Sequence, residues 1–412
     1  MKKKDKPEEK KLSPEEIQKV LDTLQPKIIS AGNHLQYGTP FGYKTELDFL
    51  DANIGLIPFG INDTELSHLE RIARVIDQGC KATSEKPLEE VAMQILEDET
   101  NLNLANYNLR VSAGGARGAI ATVINNVTTR KKPLVVYSSP NWIFDNLVTN
   151  LTKAQPCSFH ATTADEFIER FEQGANDNVA AVILVDPANP IGYRFSREHI
   201  ERIEQVSEQY GIVPIFDDVF RGMQKEGERY SSSEHSHNSV IVETTSKRFG
   251  ARGIGATWTL IPKTIGFTPD ISVSCQGCEN IAATITQALY ETGYGERIRQ
   301  FITNNSKAFL KGFYTESKSM PGEFRQAFES MPIMTYHFQP NDKFNSLTLR
   351  QFLREQVLIT SGIDWICQTN IQDQERALHG ISYVRICPTK ETPDRAYIAG
   401  IIVSEAVRTL AP

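Results

Sequence analysis

The sequence predicts an α/β protein: a large domain with a mostly parallel sheet covered by helices, and a smaller α+β unit. Three observations carry this prediction. From about residue 110, short apolar runs alternate with helical stretches, the order that builds a helix-covered sheet. These runs are apolar throughout rather than alternating, as in "VAAVILVDP", so both faces of each strand must be buried. The last hundred residues then change character, with "PIMTYHFQP", "QVLIT" and "SYVRICPT" as strand candidates among helical stretches. At 412 residues the chain is long for one core and suits a large and a small lobe.

The elements follow in order. The start, "MKKKDKPEEKKLSPEE", is charged and poor in apolar residues. It lacks the apolar stretch of a signal peptide, and residues 1–12 read as a disordered tail. Ser13, Pro14 and Glu16 form a capping box ahead of "IQKVLDTL", which predicts a helix start. "SHLERIARVIDQGC" and "PLEEVAMQILEDE" also have helical apolar spacing. Next come "LRVSAGG" and the helix "ARGAIATVINNV", then "PLVVYSS" and "PNWIFDNLVTNL". "VAAVILVDP" precedes "SREHIERIEQVSEQYG", with Ser196 as N-cap and Gly211 as C-cap. "VPIFDD", "SVIVETT" and "ATWTLIP" arrive in quick succession as strands. A long helical stretch follows, broken at Gly293 and Gly295.

Composition excludes some functions. A net charge of -7 argues against a nucleic-acid partner, which would select clustered positive charge. No run is long and apolar enough to span a bilayer. Six cysteines scattered over this length suggest free thiols in a reducing, cytoplasmic setting. Cys275 and Cys278 form one CxxC, but without a second pair or nearby histidines no metal is assigned.

In an open α/β sheet, ligands bind beyond the carboxyl ends of the strands. After "LRVS" come Gly115, Ala116 and Arg117 at a helix start, where backbone N–H groups can approach an anion. After "LVVYSS" comes Trp142, and after "VILV" comes "DPANPIG" with Asn189. After "VPIF" come Asp217, Asp218, Val219 and Phe220; after "SVIVE" come Thr244, Thr245, Ser246 and Lys247. Singly, each has an ordinary structural reading as a turn, a cap, packing or a surface charge. Jointly they suit a phosphorylated flat heterocycle carrying an aldehyde. The helix start takes the phosphate, Trp142 the ring, an Asp the protonated ring nitrogen, and the lysine the aldehyde as a Schiff base.

On these residues the sequence resembles the fold-type I pyridoxal-phosphate enzymes, in their class I/II aminotransferase branch. "DPANPIG", "FDDVFRG" and "TTSKRFGARGIG" match that family's three central motifs in order, and "YVRICPT" its C-terminal arginine motif. The resemblance covers roughly residues 50 to 410. It implies a seven-stranded type of sheet and a large cofactor-binding domain over residues 66–299. It also implies a small domain made jointly from residues 13–65 and 300–412. The implied cofactor is pyridoxal 5'-phosphate and the implied assembly a homodimer. Position by position, it implies that Lys247 holds the cofactor and moves the α-proton. Asp217 would pair with the ring nitrogen, Asn189 with the ring's O3′ and the substrate, and Trp142 with the ring face. Gly115, Ala116, Arg117 and the Thr244 hydroxyl would line the phosphate, and Arg385 would bind the substrate α-carboxylate as a planar fork.

Three positions depart from the family pattern. Phe220 stands where most members have tyrosine, which implies a cofactor imine that holds its proton more tightly. Gly255 stands where an arginine usually touches the phosphate. Arg117, Arg248 and Arg252 are candidates to replace that charge, Arg117 being preferred because it lies in the cradle. No tyrosine lies in "KATSEKPLEEV", where a partner-chain tyrosine is usual, and Tyr43 is a weak substitute. The expected function is an aminotransferase acting on an α-amino acid and a 2-oxo acid. The alternative keeps the cofactor but ends in oxidation, cyclisation, elimination or cleavage. Phe220 followed by Arg-Gly resembles members that oxidise or cyclise arginine-like amino acids. A ligand-sensing regulator domain and a nucleotide-binding protein fit less well. The first lacks a DNA-binding module, and the second lacks a complete phosphate or dinucleotide motif.

Overall fold

The computed structural model describes residues 50–52, 87–113, 115–141, 144–224, 231–250, 256–266, 279–315, 320–355, 358–360, 383–388 and 393–411. The first elements among the described residues are β1 (Leu50–Ala52), α1 (Leu88–Glu99), β2 (Tyr107–Ser112) and α2 (Ala116–Val127). It continues through β3 (Leu134–Ser139), α3 (Phe144–Leu151), β4 (Gln155–His160), α4 (Ala164–Gly174) and β5 (Val179–Val185). Then come α5 (Arg197–Tyr210), β6 (Val213–Asp217), β7 (Val240–Thr244), the single turn α6 (Thr245–Arg248) and β8 (Thr257–Pro262). The C-terminal part holds α7 (Glu279–Glu291), α8 (Tyr294–Phe313), β9 (Gly322–Arg325), β10 (Met334–Phe338) and α9 (Ser346–Glu355). It ends with β11 (Leu358–Thr360), β12 (Tyr383–Ile386) and α10 (Pro393–Leu410). The helix expected at Ser13, the stretch "SHLERIARVIDQGC" and the Cys275–Cys278 pair lie outside the described residues.

Among the described residues the main sheet has seven strands in the order β2-β8-β7-β6-β5-β3-β4. All neighbours pair in parallel except those of β8, which is antiparallel to both β2 and β7. The expected mostly parallel sheet is therefore present. β5 shows why its strands read as solid apolar runs. Val179, Val182 and Leu184 enter a core layer with Phe167 of α4 and Ile200 of α5. The intervening Ala181, Ile183 and Val185 enter a second layer with Ile120 of α2 and Leu147 of α3. Side chains alternate faces along a strand, so two covered faces require an apolar residue at every position.

The local signals for α5 are those of the sequence. Ser196 accepts the His199 N–H and His199 returns a bond to the Ser196 N–H, while Gly211 closes the helix at φ +58. The long C-terminal helical stretch breaks only at Gly293, the left-handed cap of α8. Gly295, expected to share that break, lies inside α8. A Cβ there would sit 3.2 Å from the Phe249 ring, so this glycine serves close packing.

The C-terminal α+β part has an antiparallel sheet, β12-β10-β9, and a parallel pair, β1-β11. Its core joins Phe309 and Phe313 of α8 to Tyr336 of β10 and Val403 of α10. The first half of α8 packs elsewhere, with Ile298 and Ile302 in a cluster around Phe220. Among the described residues, no helix is long and apolar enough to cross a membrane.

Candidate active site

β5, β6 and β7 lie side by side and run the same way, so their carboxyl ends open on one edge. The register sets Val185 beside Asp217 and Asp217 beside Val242. Across β8, Thr244 pairs with Thr257 and Thr257 with Ser112, the last residue of β2. One sheet edge thus carries the Asn189 loop, Asp217, the Lys247 turn and the start of α2.

Asp217 is the centre of this edge. It is buried, and its Oδ1 has no hydrogen-bond partner. Its other contacts are the Val219 backbone N–H and the field of the Lys247 ammonium. Burial, and then the neighbouring Asp218, push its carboxyl up to about 7; the Val219 N–H and Lys247 pull the other way. A buried carboxylate oxygen without a donor is costly, so the position is suited to receive an N–H or a cation.

Lys247 is half-buried on α6, a turn pinned across β7 and β8. The Thr244 hydroxyl accepts the Ser246 N–H at 3.3 Å and donates to the Ala256 carbonyl at 3.0 Å. The Thr245 N–H meets the same carbonyl at 2.9 Å, and the Ala256 N–H donates to Thr245 Oγ1 at 2.8 Å. Thr244 is therefore the cap that shapes the lysine turn, with its own proton already directed to the Ala256 carbonyl. Ser246 Oγ lies 3.0 Å from Thr244 Oγ1 and keeps some exposed surface.

Asn189 and Arg385, 196 residues apart in sequence, meet here. Both are buried, and Arg385 Nη1 lies 3.4 Å from Asn189 Oδ1. The docking has a second bond. Thr335, paired with Arg385 in the small sheet, donates its hydroxyl to the Pro190 carbonyl at 2.5 Å. The loop "DPANPIG" is thereby fixed to the sheet that carries the arginine.

The remaining expected residues are distributed differently. Gly115 caps α2 with no side-chain hydrogen bond, and a Cβ at Gly115 would meet nothing within 4 Å. Ala116 is half-buried and Arg117 exposed in the first turn beside it. Trp142 lies outside the described residues, as do Arg252, Gly255 and Tyr43. Asn141 donates to the Ser138 carbonyl at 2.6 Å and accepts the Phe144 N–H at 3.1 Å. Phe220 is buried among Met223, Phe249, Ile333 and Cys387, an apolar setting. Arg248, weighed above as a phosphate contact, is buried and ion-paired with Glu99, and its guanidinium fills the space beside Gly222. Burial, then the nearby Arg299, lower its pKa to about 9. Its guanidinium is engaged with Glu99.

Sequence reasoning missed a buried ionic network next to Asp217. Arg221 contacts Glu243 at 3.0 Å and Glu234 at 2.5 Å, and Asp218 accepts the Ser231 and Ser233 hydroxyls at 2.7 and 2.6 Å. The available signal was Glu243 itself, a charge ending the apolar run "SVIVE", since a buried charge needs a partner.

The family description "Aminotransferase class I and II" matches residues 64–360. The chain belongs to the class I and II aminotransferases. It is 20% identical over 213 residues to a probable aspartate aminotransferase of Methanocaldococcus jannaschii, matching 50% of this chain and 55% of that one. It is 27% identical over 237 residues to a probable aminotransferase of Claviceps purpurea, matching 51% and 55%. The chain spans about half the length of these curated relatives. In fold, this class I and II aminotransferase chain resembles Escherichia coli YbdL, described as having a methionine aminotransferase function. The TM-score is 0.68 at 14% identity, over 93% of this chain and 96% of that one. The family's cofactor is pyridoxal 5'-phosphate, and the residues fit it. Asp217 Oδ1 lacks a donor, Gly115 opens onto free space, and Lys247 stands between them in the strand order.

Proposed function

We propose that this protein is a pyridoxal-phosphate-dependent aminotransferase, acting on an α-amino acid and a 2-oxo acid. The observation that carries the reading is the donor-less buried oxygen of Asp217 within the electrostatic reach of Lys247. When bound, pyridoxal phosphate supplies an electron sink for the pair left behind as a proton leaves the substrate Cα. Lys247 Nζ is the amine that holds the cofactor covalently and, as a free amine, takes and returns that proton. Asp217 Oδ1 accepts the ring N–H and keeps that proton on the ring. Asn189 Oδ1 faces Arg385, which leaves its Nδ2 to donate to the ring's O3′. Trp142 is the residue assigned to the ring face from its place in the sequence. Gly115, Ala116 and Arg117 receive the phosphate at the uncapped start of α2, with Arg117 supplying the charge that Gly255 does not. Thr244 holds the Lys247 turn, and Ser246 is the hydroxyl better placed to donate outward. Arg385 binds the substrate carboxylate.

One experiment tests the reading: absorption spectra of the purified protein, of Lys247→Ala, and of the wild type with a panel of amino acids. A visible band in the wild type, shifted in Lys247→Ala, is expected, and amino acids should convert the cofactor to its pyridoxamine form. Absence of cofactor uptake by the wild type would defeat the reading. A second outcome keeps the cofactor but not transamination, and Phe220 favours it, because no phenol stands there and its neighbours are apolar. A cystathionine β-lyase of Bacillus subtilis is also among the relatives, 26% identical over 161 residues, or 35% of this chain and 41% of that one. Oxygen uptake or a persistent long-wavelength band, with no pyridoxamine form, would select this second outcome.

A further inference from the structure

The β6–β7 ladder ends beside the site. Its last paired residues are Asp217 and Val242, followed by one backbone bond from the Asp218 N–H to the Val242 carbonyl at 2.9 Å. Beyond it the two segments separate. One turns toward Phe220 and Gly222, and the other enters the cap and turn that carry Lys247. Arg221 spans the gap. Its Nη1 donates to Glu243 at 3.0 Å, and Glu243 directly precedes the Thr244 cap. Its Nη2 donates to Glu234 at 2.5 Å, and Nη1 lies 3.8 Å from Asp218, the residue after Asp217. The same Asp218 oxygen is held by the Ser231 and Ser233 hydroxyls. Arg221, Asp218 and Glu243 are buried, and Glu234 is half-buried.

We propose that Arg221 is a positioning residue: a strut that fixes the Asp217 carboxylate relative to Lys247 by tying the ends of β6 and β7. The inference rests on the function proposed above. A guanidinium presents five donors in a planar fork, so it meets Glu243 and Glu234 at once. A lysine ammonium is a single point charge on a flexible stem and cannot hold the same two carboxylates in fixed directions. Three carboxylates surround this one cation, two of them buried, so loosening it lets them repel and move. Burial already raises the Glu243 pKa to about 7, with Arg221 opposing that rise. The residue that moves with Asp218 is Asp217, and Arg221 shares no bond with Asp217 itself.

The test uses the full-length chain, as wild type and Arg221→Lys. Each is titrated with pyridoxal 5'-phosphate and with its deaza analogue, in which CH replaces the ring nitrogen. The wild type is expected to prefer the natural cofactor, because only that compound offers Asp217 an N–H. Arg221→Lys is expected to weaken binding of the natural cofactor roughly tenfold, the size of coupling within one hydrogen-bonded network, and to leave the analogue unchanged. Equal weakening of both compounds would mean a merely structural role and overturn the proposal, as would no weakening of either. If Arg221→Lys does not fold, Glu243→Gln keeps the shape and an acceptor while removing one carboxylate. It should lower affinity for the natural cofactor alone, by roughly threefold. Equal effects on the two compounds, or none, would again overturn the proposal. A wild type that binds both compounds equally overturns the strut but not the family cofactor. A wild type that takes up neither overturns the function reading and this proposal with it.

Discussion

Asp217 gives the site its pH signature. Its folded pKa, about 7, lies above the ordinary value of 3.8 because burial disfavours the charge. The fold therefore prefers the neutral carboxyl. This contribution to stability is complete below 3.8 and is lost as pH rises through about 7. Cofactor-free protein should lose thermal stability across that interval, and Asp217→Asn should flatten part of the slope. Glu243, raised to about 7 by the same cause, supplies a further part. Melting temperatures measured across this pH range check the point, and an unchanged slope in the variant would contradict it. At this scale the sequence was informative for Asn189, Asp217, Lys247 and Arg385, which follow strands that end on one edge or dock on it. It was uninformative about Arg221 and Arg248. Their roles depend on partners at Glu243, Glu234 and Glu99, and single-sequence spacing does not report contacts between distant segments. Thr244 was legible as a hydroxyl near the lysine, but its bond to the Ala256 carbonyl was not, since that bond belongs to the β7–β8 pairing.

Elements were legible where burial was two-sided. β5, β6, β7 and β8 read directly from their apolar runs. β4 did not: "QPCSFH" lies at the sheet edge with half or more of its residues exposed, so no apolar run marks it. Pro156 is tolerated there because an edge strand has one unpaired side. The crossing of α8 and α10 was equally hidden, because it depends on two glycines that look like weak helix positions. A Cβ at Gly312 would stand 2.0 Å from the Tyr397 carbonyl oxygen, and one at Gly400 would stand 2.0 Å from that of Phe309. Backbone cannot yield as a flexible side chain does. Gly400→Ala should therefore cost about 1–3 kcal/mol through overpacking, although alanine is the better helix former. A urea unfolding midpoint lower than that of the wild type is expected. An unchanged or higher midpoint would mean that the helices separate without cost.

The whole molecule joins a site edge on the large sheet to an arginine on the small one. The contacts Asn189–Arg385 and Thr335–Pro190 make that junction, while α8 runs from the cluster around Phe220 into the core of the smaller sheet. The order of motifs revealed the fold because parallel strands deliver successive loops to the same edge. The motifs do not choose the reaction, since one scaffold supports several outcomes after the same proton transfer. The central claim concerns Lys247 as the residue that holds the cofactor beside Asp217. Borohydride reduction of the protein with pyridoxal 5'-phosphate, followed by peptide mapping, tests it most directly. The prediction is cofactor fixed on the peptide containing Lys247, with no such product from Lys247→Ala. Cofactor fixed on a different lysine, or no fixation at all, would contradict it.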